Sequence, residues 1–229
     1  MDRKILFQGT IEGIPLVKFQ SEEIIKSTQN GLIYMNSLKY YRDLYKNNKD
    51  ETIGDPYEGK LFIHDANFQI NGEITHIENY AFSTANENDF VYCLFSIYPN
   101  NSTFQFGEEI QLKMPKEYDT ALVILNSNIF FERINKKAQE DNINIRCAKV
   151  NYYDEKKDDI SRMYSLLNNG IDRIAFHKRN QYEYQQEYRF TSPKQEGIDH
   201  LELNIGSIED ISKVFSVEEL FRASVFKQR

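Results

Sequence analysis

The stretch richest in reactive groups runs Phe176-His177-Lys178-Arg179-Asn180-Gln181-Tyr182-Glu183-Tyr184-Gln185-Gln186-Glu187-Tyr188-Arg189-Phe190. Read as a strand in its second half, it puts Gln185, Glu187 and Arg189 on one face and Tyr184, Gln186 and Tyr188 on the other. An amide, a carboxylate and a guanidinium then share one surface, and two readings follow. In the first, Glu187 and Arg189 are an ordinary ion pair answering a neighbouring strand. In the second, Gln185-x-Glu187 grips a ribose: the carboxylate accepts a hydrogen bond from a sugar hydroxyl and stabilises the positive charge that develops as a glycosidic bond breaks. One carboxylate suffices when the leaving group is already cationic, as nicotinamide is in NAD.

Other candidate groups have plain structural readings. Tyr34, between Ile33 and Met35, reads as a strand aromatic packed on the core. Gly54-Asp55-Pro56-Tyr57-Glu58-Gly59 is turn chemistry, in which Glu58 can pair with Arg42 or Arg189 to satisfy a half-buried charge. That loop contains neither GxGxxG nor GKT, which excludes kinase, P-loop and Rossmann readings. His177 reads as a surface histidine. The four histidines show no HExxH spacing, so the sequence leads us to expect no structural metal.

These residues need a scaffold, and the sequence outlines one. A strand at 14–19 precedes a helix capped by Ser21 and closed by Gly31. A second strand at 32–35 leads into a helix that carries Leu38, Tyr41, Leu44 and Tyr45 at helical spacing. Asn71-Gly72 between 60–70 and 73–82 is the strongest hairpin signal in the chain. Further strands are expected at 90–98, 121–125, 145–153, 173–178, 187–193 and 200–205. Helices are expected after Ser127, around Ile160 to Leu167, and at 217–223. Strands and helices that do not alternate regularly predict an α+β fold with a mixed, mainly antiparallel sheet, and no linker divides the span 1–229.

Composition narrows the function classes. With 15 Tyr and 16 Phe but no Trp, pocket walls and core must be built from flat rings. A net charge of -7 disfavours nucleic acid and anionic membranes as partners. No apolar run has the length of a membrane helix or a signal peptide, which predicts a cytoplasmic protein. Cys93 and Cys147 each lie in an apolar run and read as buried, reduced thiols.

Taken in order, Leu16-Val17-Lys18-Phe19, Asn30 to Asn36, Tyr40-Tyr41-Arg42, Gly54-Asp55-Pro56-Tyr57-Glu58, Tyr92-Cys93-Leu94-Phe95-Ser96, Phe176-His177-Lys178 and Tyr184 to Arg189 resemble a family of uncharacterised bacterial and phage proteins. Its members carry a D-P-[FY]-E loop, a C-x-S-type strand and a late E-x-R strand, and the likeness runs over most of the chain. A second resemblance is to ADP-ribosyltransferases, whose sites combine a basic or His residue on an early strand, an aromatic-bearing second segment and a late Q-x-E or E-x-E. That resemblance implies a split sheet and NAD as substrate. It further implies Lys18, Arg42 and Arg189 on phosphates, Tyr34 and Tyr41 on nicotinamide, Glu58 beside the cofactor, and Gln185 with Glu187 as the catalytic pair. Lys18 stands where the family has Arg or His, and Ser83-Thr84 is offset from the family's Ser-Thr-Ser. The expected function is NAD cleavage. The alternative is a non-catalytic module binding a nucleotide or a protein, such as a phage or mobile-element protein acting on host defence.

Overall fold

In the computed structural model, residues 11–48, 54–84, 86–96, 110, 113–154, 156 and 171–222 are described. The apolar run Thr120–Ile124 forms β6 and is buried at every residue, as a strand covered on both faces must be. Around it an eight-stranded antiparallel sheet is ordered β11-β2-β5-β1-β6-β12, and β10 and then β7 continue from the other edge of β5. Here β1 is Leu16–Gln20, β2 Leu32–Ser37, β5 Phe90–Ser96, β7 Arg146–Lys149, β10 Glu187–Ser192, β11 His200–Asn204 and β12 Ser212–Ser216. The fold class is α+β, as the sequence predicts.

Side-chain alternation divides the core in two. Leu16, Ile33, Met35, Tyr92, Leu94, Tyr188 and Phe190 face one layer, together with Ile25 of α1 (Glu22–Gln29) and Phe130 and Ile134 of α3 (Ser127–Glu140). Val17, Phe95, Ala121 and Val123 face the other side, with Leu220 of α4 (Val217–Arg222). Also off that first layer are Val91 and Ala175, which pack with Leu38 and Tyr41 of α2 (Leu38–Asn48). The face away from α1 and α3 therefore carries Glu187 and Arg189.

Gly31, with φ +105°, ends α1, and a Cβ there would stand 2.2 Å from the Gly206 carbonyl oxygen. The hairpin β3 (Leu61–Ile70) and β4 (Glu73–Phe82) forms its own two-stranded sheet. It turns through Asn71 and Gly72 at φ 53° and 88°, the positive values a type I′ turn requires.

Several expectations are corrected. The cap of α3 is Asn126, whose side chain accepts a hydrogen bond from the Ile129 amide, while Ser127 Oγ accepts one from the Ile14 amide. The strand expected at 145–153 divides at Val150 into β7 and β8 (Asn151–Tyr153), and β8 leaves the main sheet to pair in parallel with β9 (His177–Arg179). Residues Ile171–Phe176 form a 3₁₀ turn and not a strand. Cys147 is exposed, because β7 pairs on one edge only and its side chains lie largely open to solvent. The helix expected around Ile160 lies outside the described residues. Among the described residues no helix is long and apolar enough to cross a membrane.

Candidate functional site

Glu187 and Arg189 do share a face of β10, opposite Phe95 and Cys93 of β5. Gln185 reaches that face by another route than the alternation predicted. It ends the 3₁₀ turn Asn180–Gln185, and Gln186 then adopts a left-handed conformation (φ 39°) before β10 starts. The Gln186 carbonyl accepts from the Ser96 amide at 2.8 Å, which ties this kink to the end of β5.

Glu187 belongs to a closed ring of four buried charges. Its Oε1 accepts from Lys178 Nζ at 2.8 Å and its Oε2 from Arg189 Nε at 2.5 Å. Arg189 Nη1 donates to Glu58 Oε1 at 2.7 Å, and Lys178 Nζ closes the ring at 3.3 Å from Glu58 Oε2. Lys178 also donates to Gln185 Oε1 at 2.6 Å. Burial alone would raise the Glu187 pKa, but Arg189 and Lys178 outweigh it and hold the carboxyl far below its ordinary range. Burial likewise works against the Lys178 ammonium, and Glu187 and Glu58 overcome it to push its pKa up. The four charges sum to zero, which makes their removal from water tolerable.

The Asp-Pro-Tyr-Glu loop supplies Glu58 and a second buried pair. Asp55 accepts from Arg179 Nη2 and from the Tyr57 amide, both at 2.9 Å. Arg179 lies over the rings of Tyr57 and Tyr182. Arg42 is buried too, but its guanidinium serves the scaffold: it donates to the carbonyls of Glu58 and Glu87 and to Asn88 Oδ1.

Lys18 differs from these cations. β5 meets β2 through Phe90 and Val91 and meets β1 through Phe95 and Ser96, so Tyr92, Cys93 and Leu94 have no strand partner on that edge among the described residues. Lys18 Nζ enters the break, donates to the Cys93 carbonyl at 2.9 Å and lies 4.6 Å from the centre of the Tyr92 ring. It has no carboxylate within ion-pair distance among the described residues. Burial pushes its pKa down against the attraction of Cys93 and Glu187. The Cys93 thiol is pushed up to about 12, chiefly by burial and then by Glu187, so it is no nucleophile at neutral pH.

Beside the break lies a pocket of about 170 Å³. Lys18, Tyr41, Glu58, Gln185, Glu187 and Arg189 all line it, with Val17, Phe19, Phe95, Tyr118 and Tyr184 as walls. Tyr34 and Arg42 are not in its lining; Tyr34 is 41% exposed and stacks on His200. The sequence reading missed Lys178, Arg179 and Asp55 as charge partners, although a cationic pair one residue beyond the apolar Ile174-Ala175-Phe176 was a signal. It also missed Lys113, Tyr118 and Tyr184, whose place in the wall no local pattern marks. Among the described residues no group of His, Cys, Asp and Glu is placed to hold a metal. In comparisons with known proteins the chain matches no family model, no curated protein and no solved structure.

Proposed function

We propose that the pocket binds a small anion bearing a flat ring, of nucleotide type. One observation carries this reading. In a chain of net charge -7, the pocket is lined by four cations (Lys18, Lys113, Lys178, Arg189) against two carboxylates (Glu58, Glu187). Lys178 and Arg189 are answered by those carboxylates and Lys113 lies over the Tyr184 ring, which leaves Lys18 to meet a phosphate. The phenyl and phenol walls suit a heterocycle. A thermal-shift titration with ADP-ribose, ADP and NAD tests it. A ligand at 100 times its dissociation constant adds about 2.7 kcal/mol, so a shift with these and none with the parent nucleosides is expected. The absence of any shift across the panel contradicts the reading.

A second reading, ADP-ribosyltransferase-like cleavage of NAD, is favoured by Gln185 and Glu187 converging on one cation, Lys178, at the pocket wall. The C1′–N bond breaks, the bonding pair leaves with nicotinamide, which becomes neutral, and the ribose takes up the positive charge beside Glu187 until water bonds to C1′ and releases a proton to solvent. The geometry ranks this reading second, because Glu187 already faces two fixed cations and a developing positive charge must compete with them. It predicts nicotinamide release by the native protein that Glu187→Gln reduces about a hundredfold or more, judged beside a circular-dichroism check that the variant is folded. Equal release by both proteins removes Glu187 from the chemistry.

A further inference from the structure

We propose that Lys18 is a carbonyl-reactive amine, which captures a small flat-ringed aldehyde or ketone in the pocket as a Schiff base. This reactivity does not depend on the nucleotide-binding reading, although both use the same side chain. Leu16 and Lys18 alternate to one face of β1, and Leu16 there belongs to the apolar core. Lys18 therefore leaves the strand among apolar neighbours. Its Nζ has one hydrogen-bond partner among the described residues, the Cys93 carbonyl at 2.9 Å. A carbonyl, unlike a carboxylate, does not oblige the nitrogen to stay charged. The ring face of Tyr92, 4.6 Å away, offers an ammonium less than the water it has lost. Burial thus favours the uncharged amine and outweighs the attraction of Cys93 and Glu187.

Lys178, in the same pocket, is the contrast. Its Nζ meets Gln185 at 2.6 Å, Glu187 at 2.8 Å and Glu58 at 3.3 Å, which fixes it as a cation without a free electron pair. A reactant can reach Lys18 instead. The pocket of about 170 Å³ is lined by Lys18 beside Phe19, Tyr41, Phe95 and Tyr118, and flat walls suit a carbonyl conjugated with a ring. An uncharged lysine in an apolar pocket is an effective nucleophile toward such a group. The Nζ electron pair attacks the carbonyl carbon, and the π pair of the C=O bond moves to oxygen, giving a carbinolamine. The two amine protons then leave with that oxygen as water, and a C=N bond joins Nζ to the ligand. No oxidant or reductant is consumed.

Treatment of the native protein with benzaldehyde and sodium cyanoborohydride at neutral pH tests the proposal. Hydride from the reagent and a proton from water turn the imine into a stable secondary amine, which peptide mass spectrometry places in the sequence. Lys18 is expected to be alkylated about tenfold faster than any other lysine, including Lys113 and Lys178 of the same pocket. Lys18→Arg keeps the charge and a donor for the Cys93 carbonyl. In that variant, shown to be folded by circular dichroism, the fast adduct should vanish and the slow ones elsewhere persist. ADP, which has no carbonyl, should slow the Lys18 adduct in the native protein, because a bound phosphate favours the ammonium. Alkylation of Lys18 no faster than that of the exposed lysines overturns the proposal and leaves the nucleotide reading standing. Fast alkylation that ADP does not slow supports the reactive amine and counts against the nucleotide reading.

Discussion

The two edges of β5 handle the same problem differently. Along one edge six consecutive residues, Phe90 to Phe95, pair with β10. Along the other the ladder breaks between β2 and β1, and a lysine side chain answers the Cys93 carbonyl. The continuous edge holds a strand whose charges, Glu187 and Arg189, are compensated within a closed ring. The broken edge holds a cation with no carboxylate partner among the described residues. An unbroken ladder fixes side chains firmly enough to bury opposed charges. An interruption leaves backbone and charge to be satisfied by something other than the sheet.

The largest effect expected from this contrast is on the continuous edge. Arg189→Met leaves Glu58 and Glu187 facing Lys178 alone, and loss of one partner from a buried charge network costs about 3–5 kcal/mol. Urea denaturation should read that loss; a variant as stable as the native protein would mean the ring is not buried as described. Glu187→Gln should also destabilise.

Acid should act on the same edge. The folded Glu187 carboxyl titrates well below its ordinary range, because Arg189 and Lys178 outweigh burial. Its contribution is therefore complete above the unfolded value, about 4.3, and is lost as the pH falls from there toward the folded value. Unfolding free energy of the native protein should fall below about pH 5, and Glu187→Gln should flatten that fall. An unchanged slope in the variant assigns the acid sensitivity elsewhere.

The broken edge should respond in binding as well as in stability. Lys18→Met keeps the stem and removes the charge, so it should weaken a phosphate-bearing ligand about tenfold or more, while the unanswered Cys93 carbonyl costs about 1–3 kcal/mol of stability. The smallest effect belongs to neither edge. Asn126→Ala removes the α3 cap, which should cost about 1 kcal/mol and leave ligand affinity untouched.

Much of this contrast was legible in the residues, and the remainder has physical reasons for being hidden. Alternation along 187–192 announced that Glu187 and Arg189 share a face, and Asn71-Gly72 announced its hairpin. Gln185 reached the site through a 3₁₀ turn and a left-handed Gln186, a conformation no strand periodicity predicts. Tyr34 was placed on the correct strand, but its ring lies on His200, because the divergence of β2 from β1 is a property of sheet pairing and not of either strand's sequence. Arg42 looked like a phosphate cation and instead joins the 55–59 loop to residues 87 and 88 through backbone and amide oxygens. Long-range pairing decided each of these cases.

The central claim is that the cation at the break in the sheet holds an anionic, ring-bearing ligand. Calorimetric titration of ADP-ribose into the native protein and into Lys18→Met tests it most directly. Saturable binding by the native protein, weakened at least tenfold in a variant that circular dichroism shows to be folded, is the predicted result. Identical isotherms for the two proteins, or no heat from either, would contradict it.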